Sequence, residues 1–311
     1  MNHTILLTID VEDWFQVENF KKCIPYSSWA NCELRVEKNV HRILDLLDSI
    51  KLNNPVNPID PKNPMNSTNP KATFFVLGWV AKRLPHLVLE IQARGHEVAS
   101  HGYYHKLCKE ESTEDLKIDL AKSKKLLEDI VGAPIHGYRA PGFSINANIL
   151  NRIEEAGYFY DSSFNSFKLN KRYGQLEGVG NNRNGIIIQI SDRFYELPIS
   201  NLSVGKHVFP WGGGGYFRLF PFRLFKQGVQ SILKKRGDYL FYLHPWEIDP
   251  EQPSVKDVPF THRMRHYMNM KSTYPKLIAF VEKFKEYKFQ TCHQYLLNNS
   301  STRIYNPKFK T

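Results

Sequence analysis

Residues 5–13, with the sequence ILLTIDVED, decide the fold of this chain. The apolar, β-branched run 5–9 predicts a buried strand that ends in an acidic cluster. Asp10 and Glu12 share one side of the strand because strand side chains alternate, whereas Asp13 lies beyond the expected strand end. Chemistry in α/β folds sits at such carboxyl ends, and crowded carboxylates need a compensating cation. The cluster therefore predicts a reactive or cation-binding site, with a solvated turn of capping carboxylates as the alternative.

A second strand-like run is followed by two histidines. Residues 98–105, VASHGYYH, place His101 and His105 four positions apart. On a helical turn this spacing puts both imidazoles on one face, where they can bind one divalent ion. We therefore predict a metal site made of this pair and one carboxylate, either Glu12 or Asp13. Two histidines with ordinary hydrogen bonds or solvent exposure are the alternative.

Three further motifs follow at residues 139–143 (RAPGF), 160–163 (YDSS) and 239–245 (YLFYLHP). Together with the acidic cluster and the histidine pair, they resemble, in the same order, the five motifs of the polysaccharide deacetylases of carbohydrate esterase family 4. The resemblance spans residues 3–250. It implies a metal-dependent hydrolase that removes N-acetyl groups from an amino-sugar polysaccharide or its precursor, of the exopolysaccharide, lipopolysaccharide or peptidoglycan type.

The first motif departs from the commonest form of that family, Thr-Phe-Asp-Asp-Gly. The sequence DVEDWF at residues 10–15, with HPWE at 244–247 and RHYMN at 265–269, resembles a subgroup associated with bacterial exopolysaccharide biosynthesis and exosortase systems. That subgroup carries its own carboxy-terminal extension. The sequence is also similar to a cytoplasmic branch that includes certain peptidoglycan deacetylases and metal-independent allantoinases. A metal-free hydrolase of C–N bonds and a catalytically silent sugar-binding protein are therefore the alternatives.

The resemblance implies a role for each motif residue. Asp10 is the expected general base and Arg139 the cation that keeps it ionised. His244 is the expected general acid, and Asp161 could orient it or simply lie in a turn. The expected cofactor is a divalent metal, with Zn²⁺ as the first choice. Contact with the sugar, or alternatively packing against the barrel, is expected for six residues: Trp14, Pro141, Phe143, Trp211, Tyr216 and Trp246.

The remaining pattern predicts an α/β fold, a distorted and incomplete (β/α) barrel of about seven strands. Strand-like runs lie at 5–9, 72–77, 97–100, 137–139, 158–160, 186–190 and 239–244. Helical patterns separate several of them, at 37–50, 79–94, 114–131 and 145–156. We expect a catalytic domain at 1–250, interrupted by an inserted Asn/Pro-rich loop at 53–71, and a carboxy-terminal extension at 251–311 that packs on the barrel.

Charge and cysteine content narrow the possible partners and the compartment. The formal net charge is +11, from 42 basic and 31 acidic residues, yet no nucleic-acid recognition motif accompanies it. We therefore expect an N-acetylated glycan or a lipid-linked sugar as partner, with peripheral membrane contact and homo-oligomers left open. The four cysteines form no close metal pair, and neither a long apolar stretch nor a charged leader is recognisable. These features predict a cytoplasmic protein, with the inner face of the membrane as an alternative.

Overall fold

Strand β1 (Thr4–Val11) is buried over its whole length, as its apolar, β-branched sequence predicts. It pairs in parallel with β11 (Asp238–Leu243) on one side and with β2 (Ala72–Val76) on the other. Interior parallel strands are covered on both faces, which is why all three are nearly continuous apolar runs. The acidic end of β1 consequently opens at the carboxyl edge of the sheet.

The computed structural model of the protein describes residues 3–53, 69–167, 173, 174, 176 and 183–300. Besides β1, β2 and β11, the strands in these ranges are β3 (Glu97–Ser100), β4 (Gly137–Tyr138), β5 (Tyr160–Asp161), β6 (Arg183–Asn184), β7 (Ile187–Gln189), β8 (Tyr195–Glu196), β9 (Leu202–Val204), β10 (His207–Phe209) and β12 (Lys288–Phe289). The α-helices are α1 (Val36–Ser49), α2 (Gly78–Arg83), α3 (Pro85–Ala93), α4 (Thr113–Val131), α5 (Ala147–Glu155), α6 (Gly214–Leu219), α7 (Phe222–Arg236), α8 (Phe260–Tyr267), α9 (Met270–Lys283) and α10 (Cys292–Asn299). Most of the predicted inserted loop, residues 54–68, lies outside the described ranges.

The main sheet has the order β11-β1-β2-β3-β4-β5-β8-β7-β6, with β12 paired to β1. Every pairing is parallel except those of β7 with β6 and with β8. Helices surround this curled sheet, so the predicted α/β class and incomplete barrel are confirmed. The parallel part includes β8 and β12, two short strands that were not predicted.

The opening between β8 and β11 is bridged by irregular chain. Ser200 donates its backbone N–H to Leu240 O at 3.3 Å, and Tyr242 donates to Gly212 O at 2.8 Å. The hydroxyl of Ser200 also accepts the N–H of Leu240 at 2.9 Å. These contacts satisfy the free edge of β11, whose unpaired backbone groups would otherwise be costly to bury.

Two sequence predictions needed correction. The single helix expected at 79–94 is two helices, α2 and α3, separated at Leu84. The residue before a proline is disfavoured in the α conformation, and Pro85 is well suited to open the second helix. The run 186–190 was expected as a barrel strand, whereas β7 belongs to an antiparallel hairpin at the edge of the sheet.

The region after residue 250 is tied closely to the barrel. Its strand β12 pairs with the start of β1, where Thr4 faces Lys288. The N–H of Cys292 donates to the hydroxyl of Thr73 in β2 at 2.8 Å. The extension thus packs against the barrel core, and its exact starting point stays a prediction.

Within the described residues, no helix has both the length and the apolar character needed to cross a membrane. The four cysteines are free thiols, of which Cys108 and Cys292 are buried.

His96 offers a test of how burial affects stability. Its Nδ1 accepts the N–H of Ala72 at 3.2 Å, and burial, with Lys71 and Arg94 nearby, lowers its pKa from 6.5 to about 3. Below pH 6.5 the unfolded chain binds a proton that the folded chain does not, so stability falls as the pH drops from 6.5 towards 3. In His96→Asn, the amide oxygen can still accept the N–H, but nothing titrates. The loss of unfolding free energy between pH 7.5 and 5.0 should shrink by about 2 kcal/mol, measured by urea denaturation.

A matched substitution of the exposed His207 should leave that pH dependence as it is in the unmodified protein. An equally steep acid loss in His96→Asn would contradict the assignment.

Candidate active site

Four parallel strands bring the predicted chemical groups to one edge of the sheet. Asp10 lies near the end of β1, and His101, Arg139 and His244 directly follow β3, β4 and β11. Asp10, His101 and His244 line a cleft of about 240 Å³, and Arg139 is completely buried beneath it. The carboxyl edge of the sheet therefore carries a concave, strongly polar site.

Glu12, His101 and His105 form a buried cluster whose ligand atoms all lie within 4.8 Å of one another. His101 Nδ1 lies 2.8 Å from the carbonyl oxygen of Arg139; since a carbonyl only accepts, Nδ1 carries the proton and Nε2 keeps its lone pair. Glu12 Oε2 is buried and lies 2.6 Å from His105 Nε2, with no other hydrogen-bond donor among the described residues. Two imidazoles and one carboxylate in this arrangement fit a divalent cation.

The electrostatics of the cluster also favour a cation. Burial alone would raise the pKa of Glu12, but His105 and His244 outweigh it and lower that pKa. Burial lowers the pKa of His101 to about 3, which keeps its imidazole neutral. Neutral imidazole and ionised carboxylate are the protonation states in which these groups bind metals, and Glu12 and His101 already have them. Burial lowers the pKa of His105, but the Glu12 carboxylate outweighs burial and raises that pKa, so a bound metal would replace the proton between the two.

The histidines do not lie on a helical turn, which corrects the geometry expected from their spacing. They belong to an irregular loop after β3, and His105 has a left-handed φ of 54°. Asp119 holds this loop by accepting the N–H groups of Tyr103 and Tyr104 at 2.9 and 3.1 Å. A non-glycine residue in this conformation costs about 1–3 kcal/mol, and such residues concentrate at functional sites.

Asp13, the other candidate ligand, lies outside the cluster. Its Oδ2 accepts the backbone N–H groups of Arg35 and Val36 at 2.7 and 2.9 Å, at the start of α1. Its Oδ1 accepts the N–H of Trp14 at 2.8 Å. The Asp13 carboxylate thus caps helices, as the alternative of capping carboxylates predicts. Of the two candidate ligands, Glu12 is the one that lies with the histidines.

Asp10 is held by a buried arginine fork. Arg139 Nη1 donates to Asp10 Oδ1 at 2.6 Å and to the hydroxyl of Thr8 at 2.8 Å. Its Nε and Nη2 donate to the carbonyl and the hydroxyl of Ser162, both at 2.8 Å. These contacts leave Asp10 Oδ2 directed toward the cleft, 3.9 Å from His244 Nε2.

His244 is oriented by Glu247, which the sequence analysis did not assign. Nδ1 of His244 lies 2.7 Å from Glu247 Oε1, and Arg218 Nε donates to Glu247 Oε2 at 2.8 Å. Nε2 of His244 faces the cleft, 3.2 Å from Glu12 Oε1. Burial lowers the pKa of His244, but Glu12, Glu247 and Asp10 together raise it to about 9. His244 is therefore an imidazolium at neutral pH and can give up a proton.

Asp161 was expected to orient His244, and the structure places it elsewhere. Its two oxygens accept the hydroxyl and the N–H of Ser163 at 2.7 and 3.0 Å. Ser163 in turn accepts the N–H of Ala140 at 2.8 Å, next to Arg139. Burial and the neighbouring Asp161 raise the pKa of Glu196 well above its usual range, which favours the protonated form of Glu196. Asp161 supports the Arg139 loop, and Glu247 holds the histidine.

A signal for Glu247 was present in the sequence. The residues HPWE place an acid three positions after the histidine with a proline between, the pattern of a short helix start. Arg218 had no local signal, because it reaches the site from α6.

The six expected sugar contacts have different positions. Phe143 and Trp246 line the cleft, and the Trp246 ring stacks on His244 at 5.1 Å and on His266 at 4.3 Å. Tyr216 lines an adjoining cavity. The other three are buried away from the cleft lining: Trp14, Pro141 and Trp211. Trp14 and Trp211 instead donate their indole N–H groups to backbone carbonyls, which makes them packing residues.

Comparison with known proteins finds a family match for part of the chain. A family model described as Polysaccharide deacetylase matches residues 63–160, including His101, His105 and Arg139. Residues 63–160 are therefore similar to a polysaccharide deacetylase domain, the family whose motifs the sequence resembles. A second model, described as Domain of unknown function (DUF3473), matches residues 162–297 and includes His244 and Glu247.

Curated relatives match a short part of the chain. It is 36% identical over 88 residues to a peptidoglycan-N-acetylglucosamine deacetylase of Bacillus cereus, a match that covers 28% of this chain and 41% of the relative. It is 33% identical over 85 residues to the peptidoglycan-N-acetylglucosamine deacetylase PgdA of Listeria monocytogenes, covering 27% of this chain and 18% of the relative. The matched part thus spans less than half of the length of these relatives.

Solved structures share the fold at low sequence identity. A protein from Mycobacterium smegmatis, assigned to the polysaccharide deacetylases, superposes with a TM-score of 0.60 at 18% identity, covering 95% of this chain and 89% of that one. A family 4 pseudoenzyme from Bacillus anthracis gives a TM-score of 0.50 at 15% identity, covering 95% of this chain and 66% of that one. Because active and inactive proteins can share a fold, activity must be argued from the site.

The candidate metal site predicts different outcomes for its two acidic candidates. Glu12→Gln should lower Zn²⁺ affinity at least about a hundredfold, since even supporting residues around metal ligands are worth that much. Asp13→Asn should retain the affinity but lower the free energy of unfolding by about 1–2 kcal/mol, because it weakens a cap that serves three N–H groups. Competitive titration with a chromophoric chelator and urea denaturation measure the two effects.

Loss of Zn²⁺ binding in a folded Asp13→Asn protein, with Glu12→Gln unaffected, would reverse this assignment.

Proposed function

We propose that the protein is a metal-dependent hydrolase that removes N-acetyl groups from an amino-sugar polysaccharide or its biosynthetic precursor. One observation carries this proposal. The buried Glu12–His101–His105 cluster shares a cleft with a carboxylate and an imidazolium, each held by its own charged partner. Amide hydrolysis needs these three functions: a polarised carbonyl, a base for water and an acid for the departing amine.

The cluster would hold the metal through His101 Nε2, His105 Nε2 and the Glu12 carboxylate. Two histidines and one carboxylate are a common ligand set of catalytic zinc, so Zn²⁺ is the ion we propose. A divalent ion bound there would supply a Lewis acid for the acetyl carbonyl and lower the pKa of water. The Arg139 carbonyl and the strained His105 backbone support the cluster by fixing the direction of both imidazoles.

Asp10 is the proposed base. Its Oδ1 is held by Arg139, while Oδ2 lies at the cleft between the metal cluster and His244. From this position Oδ2 can take a proton from the water that adds to the acetyl carbon. The rigid fork keeps the carboxylate from rotating, so little reorganisation is needed during the reaction.

His244 is the proposed acid. Its Nδ1 is fixed by Glu247, and the proton on Nε2 points into the cleft. When the C–N bond breaks, Nε2 can protonate the amine, so that acetate and a free amino sugar leave. The proton taken by Asp10 and the one given by His244 balance the reaction, and the site recovers its starting state after one exchange with solvent.

The substrate class rests on the family. The curated relatives are named for N-acetylglucosamine in peptidoglycan, and the cleft of about 240 Å³ offers Trp246 and Phe143 as apolar surfaces for a pyranose ring. The proposed substrate is therefore an N-acetylated hexosamine unit of an exopolysaccharide, lipopolysaccharide or peptidoglycan. The free thiols support a reducing compartment, so we propose action on a precursor in the cytoplasm or at the inner membrane face.

The first experiment is acetate release from N-acetylated oligosaccharides by purified protein with Zn²⁺. Asp10→Asn and His244→Gln should each lower kcat by about 10²–10⁴, the usual contribution of a positioned acid or base. His101→Ala and chelator should abolish release, and Zn²⁺ should restore activity only to the chelated unmodified protein. Release that survives both chelation and His101→Ala would overturn the metal-dependent reaction.

A second experiment addresses the positioning role of Glu247. Glu247→Gln removes the charge that fixes His244 Nδ1, so kcat should fall about tenfold to a hundredfold while KM and Zn²⁺ affinity stay unchanged. Glu251→Gln, a change of an exposed carboxylate on the same connection, is the matched control. A fall confined to KM would instead assign Glu247 to substrate binding.

A further inference from the structure

Helix α8 forms one wall of the active-site cleft. It contributes three side chains to the lining: His262, Arg265 and His266. His266 is buried, stacks on Trp246 and lies 2.7 Å from Gln252 Oε1, so it has a packing role. The other two side chains remain accessible in the cleft. The region of the chain described only as a domain of unknown function thus supplies part of the surface that a substrate meets.

The carboxylates of the cleft all have charged or imidazole partners. Glu18 is the outermost of them and lies 3.5 Å from Lys21 Nζ. The deeper contacts are Asp10 with Arg139, Glu12 with His105, and Glu247 with His244 and Arg218. Arg218 is further occupied by the carbonyl oxygens of His266 and Met268. No acidic group of the described lining is therefore left to neutralise a further cation.

Arg265 is a cation of the cleft lining that these carboxylates do not neutralise. Its side chain is exposed, and no carboxylate among the described residues pairs with it. It lies where the cleft adjoins a side cavity of about 130 Å³, because Gly215, Arg218 and Arg265 line both spaces. Tyr216 faces the same side cavity, close enough for the Arg265 charge to act on its hydroxyl. The side cavity thus offers a fixed positive charge beside a phenol and next to the reacting centre.

We propose that Arg265, assisted by His262, forms an anion-binding subsite that selects glycans with a carboxylate or phosphate group near the N-acetylated sugar. This inference rests on the proposed function and narrows its substrate class. An arginine guanidinium can donate two hydrogen bonds to two oxygens of one carboxylate or phosphate. Because Arg265 borders the cleft without a carboxylate partner among the described residues, its guanidinium can bind such a group of the substrate. The net charge of +11 would further attract such a substrate over longer distances.

The subsite should act on binding and not on the chemical step, since the partners of Asp10 and His244 among the described residues do not include Arg265. One partly solvated ion pair of this kind should change KM about fivefold to tenfold. Its effect should also vanish at high ionic strength, because solvent-exposed charges are screened beyond about 3 Å at 1 M salt.

The test compares three chito-oligosaccharides of equal length: neutral tetra-N-acetylchitotetraose, the same tetramer oxidised to carboxylates at C6, and the tetramer with an anomeric phosphate. At low salt, the unmodified protein should show a KM about fivefold to tenfold lower for at least one anionic tetramer than for the neutral one. Comparison of the KM values of the two anionic tetramers shows whether the subsite prefers a carboxylate or a phosphate. Arg265→Gln should remove the preference with kcat unchanged, and Arg265→Lys should keep part of it.

Arg263→Gln is the matched control, because Arg263 lies on the same helix, contacts the Phe260 ring and does not line the cleft. It should preserve the preference. Equal KM values for neutral and anionic tetramers would overturn the subsite. So would an increase in KM in Arg265→Gln that is the same for all three tetramers. If no tetramer is hydrolysed, the proposed function fails. The subsite is then tested by calorimetric titration of the three tetramers. Tighter binding of an anionic tetramer, lost in Arg265→Gln, would support the subsite. Equal binding of all three tetramers would refute it.

Discussion

The buried guanidinium of Arg139 is the interaction on which the rest of the site depends. A charge without solvent is stable only if nearly every donor is paired, and Arg139 donates to Thr8, Asp10 and Ser162 from three different nitrogens. Its ring of contacts joins β1 to the chain after β5, across the width of the sheet. Its own carbonyl then fixes His101. One side chain and its backbone thereby set the position of the proposed base and of one proposed metal ligand, so neither can shift without disturbing the other.

The sequence predicted those parts of the site that follow strands with strong periodic patterns. Alternation along β1 predicted Asp10 and Glu12 on one side, but the strand ends at Val11, so Glu12 and Asp13 both lie beyond it. Asp13 caps helices there, which was one of the stated alternatives. The prediction of a helical turn for the two histidines was wrong, because spacing alone cannot distinguish a helical turn from a loop with a left-handed residue. Glu247 had a readable local pattern that was not used.

Other features could not be predicted because no local pattern encodes them. Strand β8, which was not predicted, carries Glu196 opposite Asp161. Arg218 and Arg265 reach the cleft from α6 and α8, and their position depends on how those helices pack. The boundary between the two family models falls after β5, so the proposed metal ligands His101 and His105 lie in one region and the proposed acid in the other. Neither region holds a full set of reacting groups.

The pairing of β1 has a consequence for how the chain reaches its native state. This strand is synthesised well before its partners β11 and β12, which lie more than 200 residues later in the sequence. Contacts so distant in sequence close slowly, and until they form, an extended apolar segment has an unsatisfied edge. The chain as far as β11 must be synthesised before β1 is covered on both sides. Nascent chains of this protein are therefore exposed to edge-to-edge association while that stretch is made, which makes early capture by a chaperone advantageous.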